Sequence, residues 1–98
     1  MAIVTDTLEG VINGAIWYHF DIADDVLYLR RADQRDAATV AEETPEGLLL
    51  LRREDDDRPV GVTIINWWKR FGHGALPDSL TALQRSIEPW ADRVNDTA

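Results

Sequence analysis

Phe20-Asp21-Ile22-Ala23-Asp24-Asp25-Val26-Leu27-Tyr28-Leu29 decides the fold, together with Pro45 through Ile65. Residues 15–21 (Ala-Ile-Trp-Tyr-His-Phe-Asp) favour an extended chain, because aromatic and β-branched side chains fit a pleated surface. Ile22 to Asp25 turns the chain, since Asp side chains bond nearby backbone amides. Residues 26–31 return as a second strand ending in Arg30-Arg31. The later stretch repeats the plan. Leu48 to Arg53 is a strand, Glu54 to Arg58 a very acidic turn, and Val60 to Asn66 a strand. Pro59 opens the last one at a position that sheets tolerate. Two hairpins predict a four-stranded antiparallel sheet with its core at about residues 15–66.

Outward from the hairpins the signals are mixed. Asp6-Thr-Leu-Glu9 has capping-box spacing, and Leu8, Val11 and Ile12 then share a helical face, which favours a short N-terminal helix over 4–14. The rival reading takes Asn13-Gly14 as a hairpin turn with strands on both sides. Residues 32–44 read as a longer connection, and Trp67 to Gly74 as an irregular exit from the sheet. Asp78 or Ser79 caps a helix over about 78–95, with Leu80, Leu83, Ile87, Ala91 and Val94 on one face. Pro89 predicts a kink or a fresh first turn within it, having no amide hydrogen to give. The chain of 98 residues is thus one α+β domain, with the C-terminal helix packed on one sheet face.

That helix leaves a face over. Leu48-Leu49-Leu50-Leu51 is apolar on both sides, and Ile16, Tyr18 and Phe20 oppose Trp17 and His19. A sheet open to water on one face alternates apolar and polar residues. Both faces here call for cover, and a second subunit would supply it in a two-fold homodimer.

Bulk composition narrows the function. There are no cysteines, which excludes disulfides, thiol catalysis and cysteine-based metal sites. No apolar run is long enough to span a membrane, and Met1 to Thr7 lacks the pattern of a secretory signal. A cytoplasmic protein is expected. The net charge of −8 argues against a nucleic-acid backbone as partner and suits solubility or a basic protein partner. Only Arg30, Arg31, Arg52 and Arg53, at the ends of adjacent strands, would supply a basic stripe.

Phe20-Asp21-x-x-x-Asp25-x-Leu27-Tyr28-Leu29 resembles the Tyr-Asp-x-x-Ala-Asp-x-Leu-Tyr-Ile signature of a family of small prokaryotic proteins known only as a domain of unknown function. Glu46-Gly47, the apolar strand and Pro59-Val60-Gly61-Val62-Thr63-Ile64-Ile65-Asn66 are similar to that family's Val-Val-Gly-hydrophobic-Glu/Thr-Ile-Leu ending. The likeness covers about residues 18–66. Phe20 replaces the usual Tyr, Ala23 lies two before Asp25 rather than one, and Trp67-Trp68 stands where small residues are common. The resemblance implies a compact α+β fold and no assigned catalytic residue. It also suggests an antitoxin-like partner of a basic protein.

Residues with chemical potential have bland readings beside the sharp ones. Asp21, Asp24 and Asp25 would hold Ca²⁺ or act as an acid/base pair, yet flanking a tight turn they serve as amide acceptors. Glu54-Asp55-Asp56-Asp57 reads as a solvated turn. His19 alternates with large apolar residues on a strand, and His73 lies in the flexible Phe71-Gly-His-Gly74 loop. No nucleophile elbow or phosphate loop is present. Trp67, Trp68 and Phe71, with Leu49 and Leu51 on the sheet, form a candidate interface, since aromatic side chains anchor interfaces. The expectation is a non-catalytic interaction or oligomerisation module, with no catalytic, metal or cofactor site. The alternative is a small hydrolase or metal-dependent enzyme using Asp21, Asp25, His19 and His73.

Overall fold

A computed structural model describes residues 7–77 and 79–97. Six strands, not four, build one antiparallel sheet: β1 (Thr7–Ile12), β2 (Ile16–Asp21), β3 (Val26–Arg31), β4 (Thr39–Glu43), β5 (Leu49–Arg53) and β6 (Pro59–Ile65). Their order across the sheet is β1-β2-β3-β6-β5-β4. Two helices follow, α1 (Trp67–Phe71) and α2 (Leu80–Thr97). The two expected hairpins are β2–β3 and β5–β6, and the β3–β6 pairing joins them into one sheet.

The expected N-terminal helix is corrected to a strand over the part described. β1 pairs with β2 through Asn13-Gly14, whose φ angles of 54° and 66° are those of a type I′ turn. Burial alternates along β1, with Ile12 8% and Val11 51% exposed. A helical face joining Leu8, Val11 and Ile12 would have put Val11 inside. Pairing with β2 therefore overrides the local capping signal. Asp6 lies outside the described residues.

The second added strand, β4, comes from the expected connection. None of its residues is buried. It is an edge strand held by backbone pairing to β5, and Thr44 closes the turn. Thr44 Oγ1 accepts from the Leu48 amide at 3.1 Å, and the Thr44 carbonyl accepts from the Gly47 amide at 2.9 Å.

One sheet face carries the core. Ile12, Ile16, Tyr18, Phe20, Leu27, Leu29, Val62 and Ile64 meet Leu83, Ile87, Ala91 and Val94 of α2. The expected apolar stripe from Leu83 to Val94 is thus the buried face of this helix, the Leu80 side chain lying outside the described residues, and Tyr18 satisfies its hydroxyl by accepting from Gln84 Nε2 at 2.8 Å. Pro89 lies inside a single continuous helix. Ser79 Oγ accepts from the Ala82 amide at 3.4 Å; Asp78 lies outside the described residues.

The expected irregular exit after β6 is helical over Trp67–Phe71 and irregular only from Gly72 to Gly74. Asn66, with φ 57°, makes no side-chain cap to α1. Asp25 makes it instead, from the β2–β3 turn. Its carboxylate accepts from the amides of Trp68 at 2.8 Å and Lys69 at 3.0 Å, and its carbonyl from the Trp67 amide at 3.1 Å. A five-residue helix is not stable alone, so this cap and the burial of Trp67 hold it.

Candidate functional site

The other face of the sheet is the candidate site. Alternation along each strand puts Trp17 and His19 of β2, Tyr28 and Arg30 of β3, Gly61 and Thr63 of β6, and Leu49 and Leu51 of β5 there. Neither helix lies over it: the core cluster contains no residue of this set. The registers build two rows across the sheet. One runs Glu9, His19, Tyr28, Thr63, Leu49 and Glu43; the next runs Val11, Trp17, Arg30, Gly61, Leu51 and Ala41.

The aromatic residues form a ladder. Trp17 and His19 have ring centroids 6.0 Å apart, and His19 meets Tyr28 edge-on at 5.8 Å. Thr63 is only 8% exposed with no layer above it, because tall neighbours shelter it. Ile65 and Val11 are about half exposed.

A raised rim closes one end of this face. Gly61 lets β3 and its Arg30 lie close: a Cβ there would sit 2.3 Å from the Leu29 carbonyl oxygen and 2.9 Å from Arg30 Cγ. Arg30 reaches over to the connection before β4. Its Nη1 donates to the carbonyls of Arg35 (2.9 Å) and Ala37 (3.2 Å), and its Nη2 to Thr39 Oγ1 (3.0 Å). Arg35 then stacks on Trp17 at 4.8 Å, and Glu9 Oε1 accepts from both Arg35 Nη2 and Trp17 Nε1. The rim and face enclose a trough of about 480 Å³, floored by Tyr28, Thr63 and Leu51 and walled by Trp17, Arg35 and Asp36.

Charge is polarised along the strands. Arg30 and Arg53 lie at the rim end of the open face, and Arg35 is on the rim itself. Asp21 lies at the opposite end. The arginines near the rim have local partners: Arg31 with Asp33, Arg52 with Glu42, and Arg53 with Asp55 through both Nε and Nη2. That forked hydrogen bond, with the Arg53 charge, holds the Asp55 carboxyl below its ordinary range. The acidic Glu54–Asp57 turn is thus tied back to its own strand rather than merely solvated.

The four residues of the enzymatic alternative are divided between the two faces. His19 and Asp21 lie on the open face, where Asp21 Oδ1 accepts from the Asp24 amide at 3.1 Å. Asp25 caps α1, and His73 lies beside Trp68 and Trp90 on the helical side. Among the described residues no group of three or more His, Cys, Asp or Glu side chains is placed to hold a metal ion. No described helix is long and apolar enough to cross a membrane.

The candidate interface residues are divided too. Leu49 and Leu51 are half-buried on the open face. Trp67 is core, 2% exposed and edge-on to Phe20 at 5.1 Å; Trp68 and the exposed Phe71 belong to the helical side. The sequence reading did not single out Tyr28 and Thr63. Their signal was the same alternation that set Trp17 and His19 opposite Tyr18 and Phe20.

No family model, curated protein or solved structure matches the chain.

Proposed function

We propose that this is a non-catalytic interaction module whose open sheet face is its binding surface, and that a second copy of the chain occupies it. The observation that carries the reading is the Trp17–His19–Tyr28 ladder beside Thr63, Leu49 and Leu51, with both helices on the opposite face. Aromatic side chains with a polar rim are the usual make-up of an interface core.

Charge and area favour self-association. A two-fold axis across the strands, parallel to the plane of the sheet, sets the arginine end of one copy over the Asp21 end of the other. The same axis stacks the middle row on itself, so Tyr28 meets its counterpart. Six strands about 4.8 Å apart and roughly 17–20 Å long give a footprint of roughly 490–580 Å². Two copies would bury roughly 1,000 Å², the lower bound for a specific interface. The dimer is therefore in exchange at micromolar concentration. The antitoxin-like reading, with a basic protein as partner, uses the same acidic chain and would compete for the same face.

Sedimentation of the wild-type chain and of Leu51→Glu tests this. Leu51 is half-buried on the open face and touches no helix, so the variant keeps its fold. The expected result is a concentration-dependent dimer for the wild type and a monomer for the variant. A wild-type monomer near 11 kDa at about 100 μM would overturn the self-association.

A further inference from the structure

The alternation that sends Leu49 and Leu51 to the open face sends Leu50 to the helical one, where it lies opposite Val62 of β6. Leu48, just before β5, joins the core. Leu50 stays half-buried, because α2 packs mainly on β2, β3 and β6. Between that helix and β5 lies a pocket of about 110 Å³, with Leu48, Leu50, Val62, Trp90 and Val94 as its apolar lining. An apolar cavity of about 150 Å³ holds benzene. The smaller space here suits a branched aliphatic group.

Two opposite charges border this space. Glu46 and Arg93 both line the pocket, and Arg93 Nη2 donates to Glu46 Oε2 at 3.3 Å. The Arg93 guanidinium also lies 4.9 Å over the ring of Trp90, a third lining residue, so the ion pair sits beside the apolar lining. Strong charge-assisted bonds are roughly 2.7–2.9 Å long, so this one is loose. Its side chains are 65% exposed at Glu46 and 56% at Arg93, open to a ligand from outside. The turn that carries Glu46 is nevertheless fixed. Arg70 Nη2 donates to the Glu46 carbonyl at 2.6 Å, and its Nη1 to the Gly47 carbonyl at 3.1 Å.

An aliphatic space with a cation and an anion at its edge matches one class of small molecule. An α-amino acid carries a carboxylate, an ammonium and its side chain on a single carbon. With the carboxylate at Arg93 and the ammonium at Glu46, four charges alternate in sign while the side chain enters the pocket. A fatty acid or an alkylamine would answer only one of the two charges. We propose that this pocket binds a free aliphatic α-amino acid of about leucine's size, its side chain among Leu48, Leu50 and Val62. The pocket is on the opposite side of the sheet from the open face, so binding here does not depend on self-association.

The test titrates L-leucine, isocaproate (leucine without the ammonium), isoamylamine (leucine without the carboxylate) and glycine, followed by the Leu50 and Val62 methyl signals of ¹³C-labelled protein. Leucine is expected to shift these signals saturably. It should bind about fivefold more tightly than isocaproate or isoamylamine, the upper end for an exposed charge pair. Glycine, with no side chain to bury, should bind about tenfold or more weakly than leucine. Glu46→Gln should erase leucine's advantage over isocaproate, and Arg93→Gln its advantage over isoamylamine. Both substitutions are at exposed side chains and leave the fold intact. Leu50→Trp fills the pocket, and should abolish the Val62 shift with circular dichroism unchanged. The proposal fails if leucine gives no saturable shift, if glycine or either analogue binds the wild type as tightly as leucine, or if both Gln variants keep the wild-type order of affinities.

Discussion

Replacing Asp25 by Asn, Gly and Ala separates two effects that this one residue combines. Its carboxylate caps α1 through the Trp68 and Lys69 amides, and its backbone sits at φ 56°. Gly removes the cap but accepts the left-handed backbone. Losing a cap costs about 0.5–2 kcal/mol, and hydrogen bonds to a charged group are worth about 1.5–3 kcal/mol, so we expect a loss of about 2 kcal/mol. Ala removes the cap and adds left-handed strain of about 1 kcal/mol, for about 3 in all. Asn keeps one neutral acceptor and tolerates the backbone, for a loss of about 1 kcal/mol. In a domain of this size each kcal/mol lowers Tm by about 4–8 °C, so the Gly variant should melt about 8–16 °C early. Urea unfolding followed by tryptophan fluorescence and circular dichroism reads the series, with the denaturant slope unchanged. A Gly variant within about 0.5 kcal/mol of wild type, or an Ala variant no worse than Gly, would refute the capping argument.

Other expectations follow from the same geometry. Gly61→Ala forces a Cβ against the Leu29 carbonyl, and should destabilise by about 1–3 kcal/mol in urea melts, as overpacking does. Arg30→Met removes the three bonds that hold the connection before β4. Limited proteolysis should then cut within residues 32–38, with only a small loss of global stability. Arg53→Ala should return the Asp55 carboxyl upward toward its ordinary 3.8, read by NMR titration. Because the folded value is depressed, this pair's contribution is present above that pH and lost as pH falls through the folded value.

Both hairpins and the buried stripe of α2 were legible because they rest on periodicity, which any half-buried element must obey. The elements that were misread depend on partners distant in sequence. β1 carries a capping-box pattern as convincing as its Asn13-Gly14 turn, and only the free edge of β2 decides between them. β4 exposes every side chain to some degree, so it writes no apolar pattern and is defined by its pairing with β5. α1 is capped by a residue more than forty positions earlier, which no local window contains. The same limit applied to the site. Alternation predicted a second apolar face, whereas the rim built by Arg30, Arg35 and Glu9 needs side chains from β1, β3 and the following connection to meet. Trp90 was missed although it sits three residues after Ile87 and four before Val94, at the edge of the stripe.

The claim that a second copy covers the open face is tested most directly by cross-linking. The chain has no cysteine, so single ones can be placed at will. Tyr28→Cys lies in the middle row of the open face, and Arg85→Cys lies on the exposed side of α2. A short bifunctional maleimide at about 50 μM protein should join Tyr28→Cys chains into dimers and leave Arg85→Cys chains monomeric, because two facing sheets bring their central residues within about 10 Å. Equal yields at the two positions, or no cross-linked Tyr28→Cys, would contradict the account.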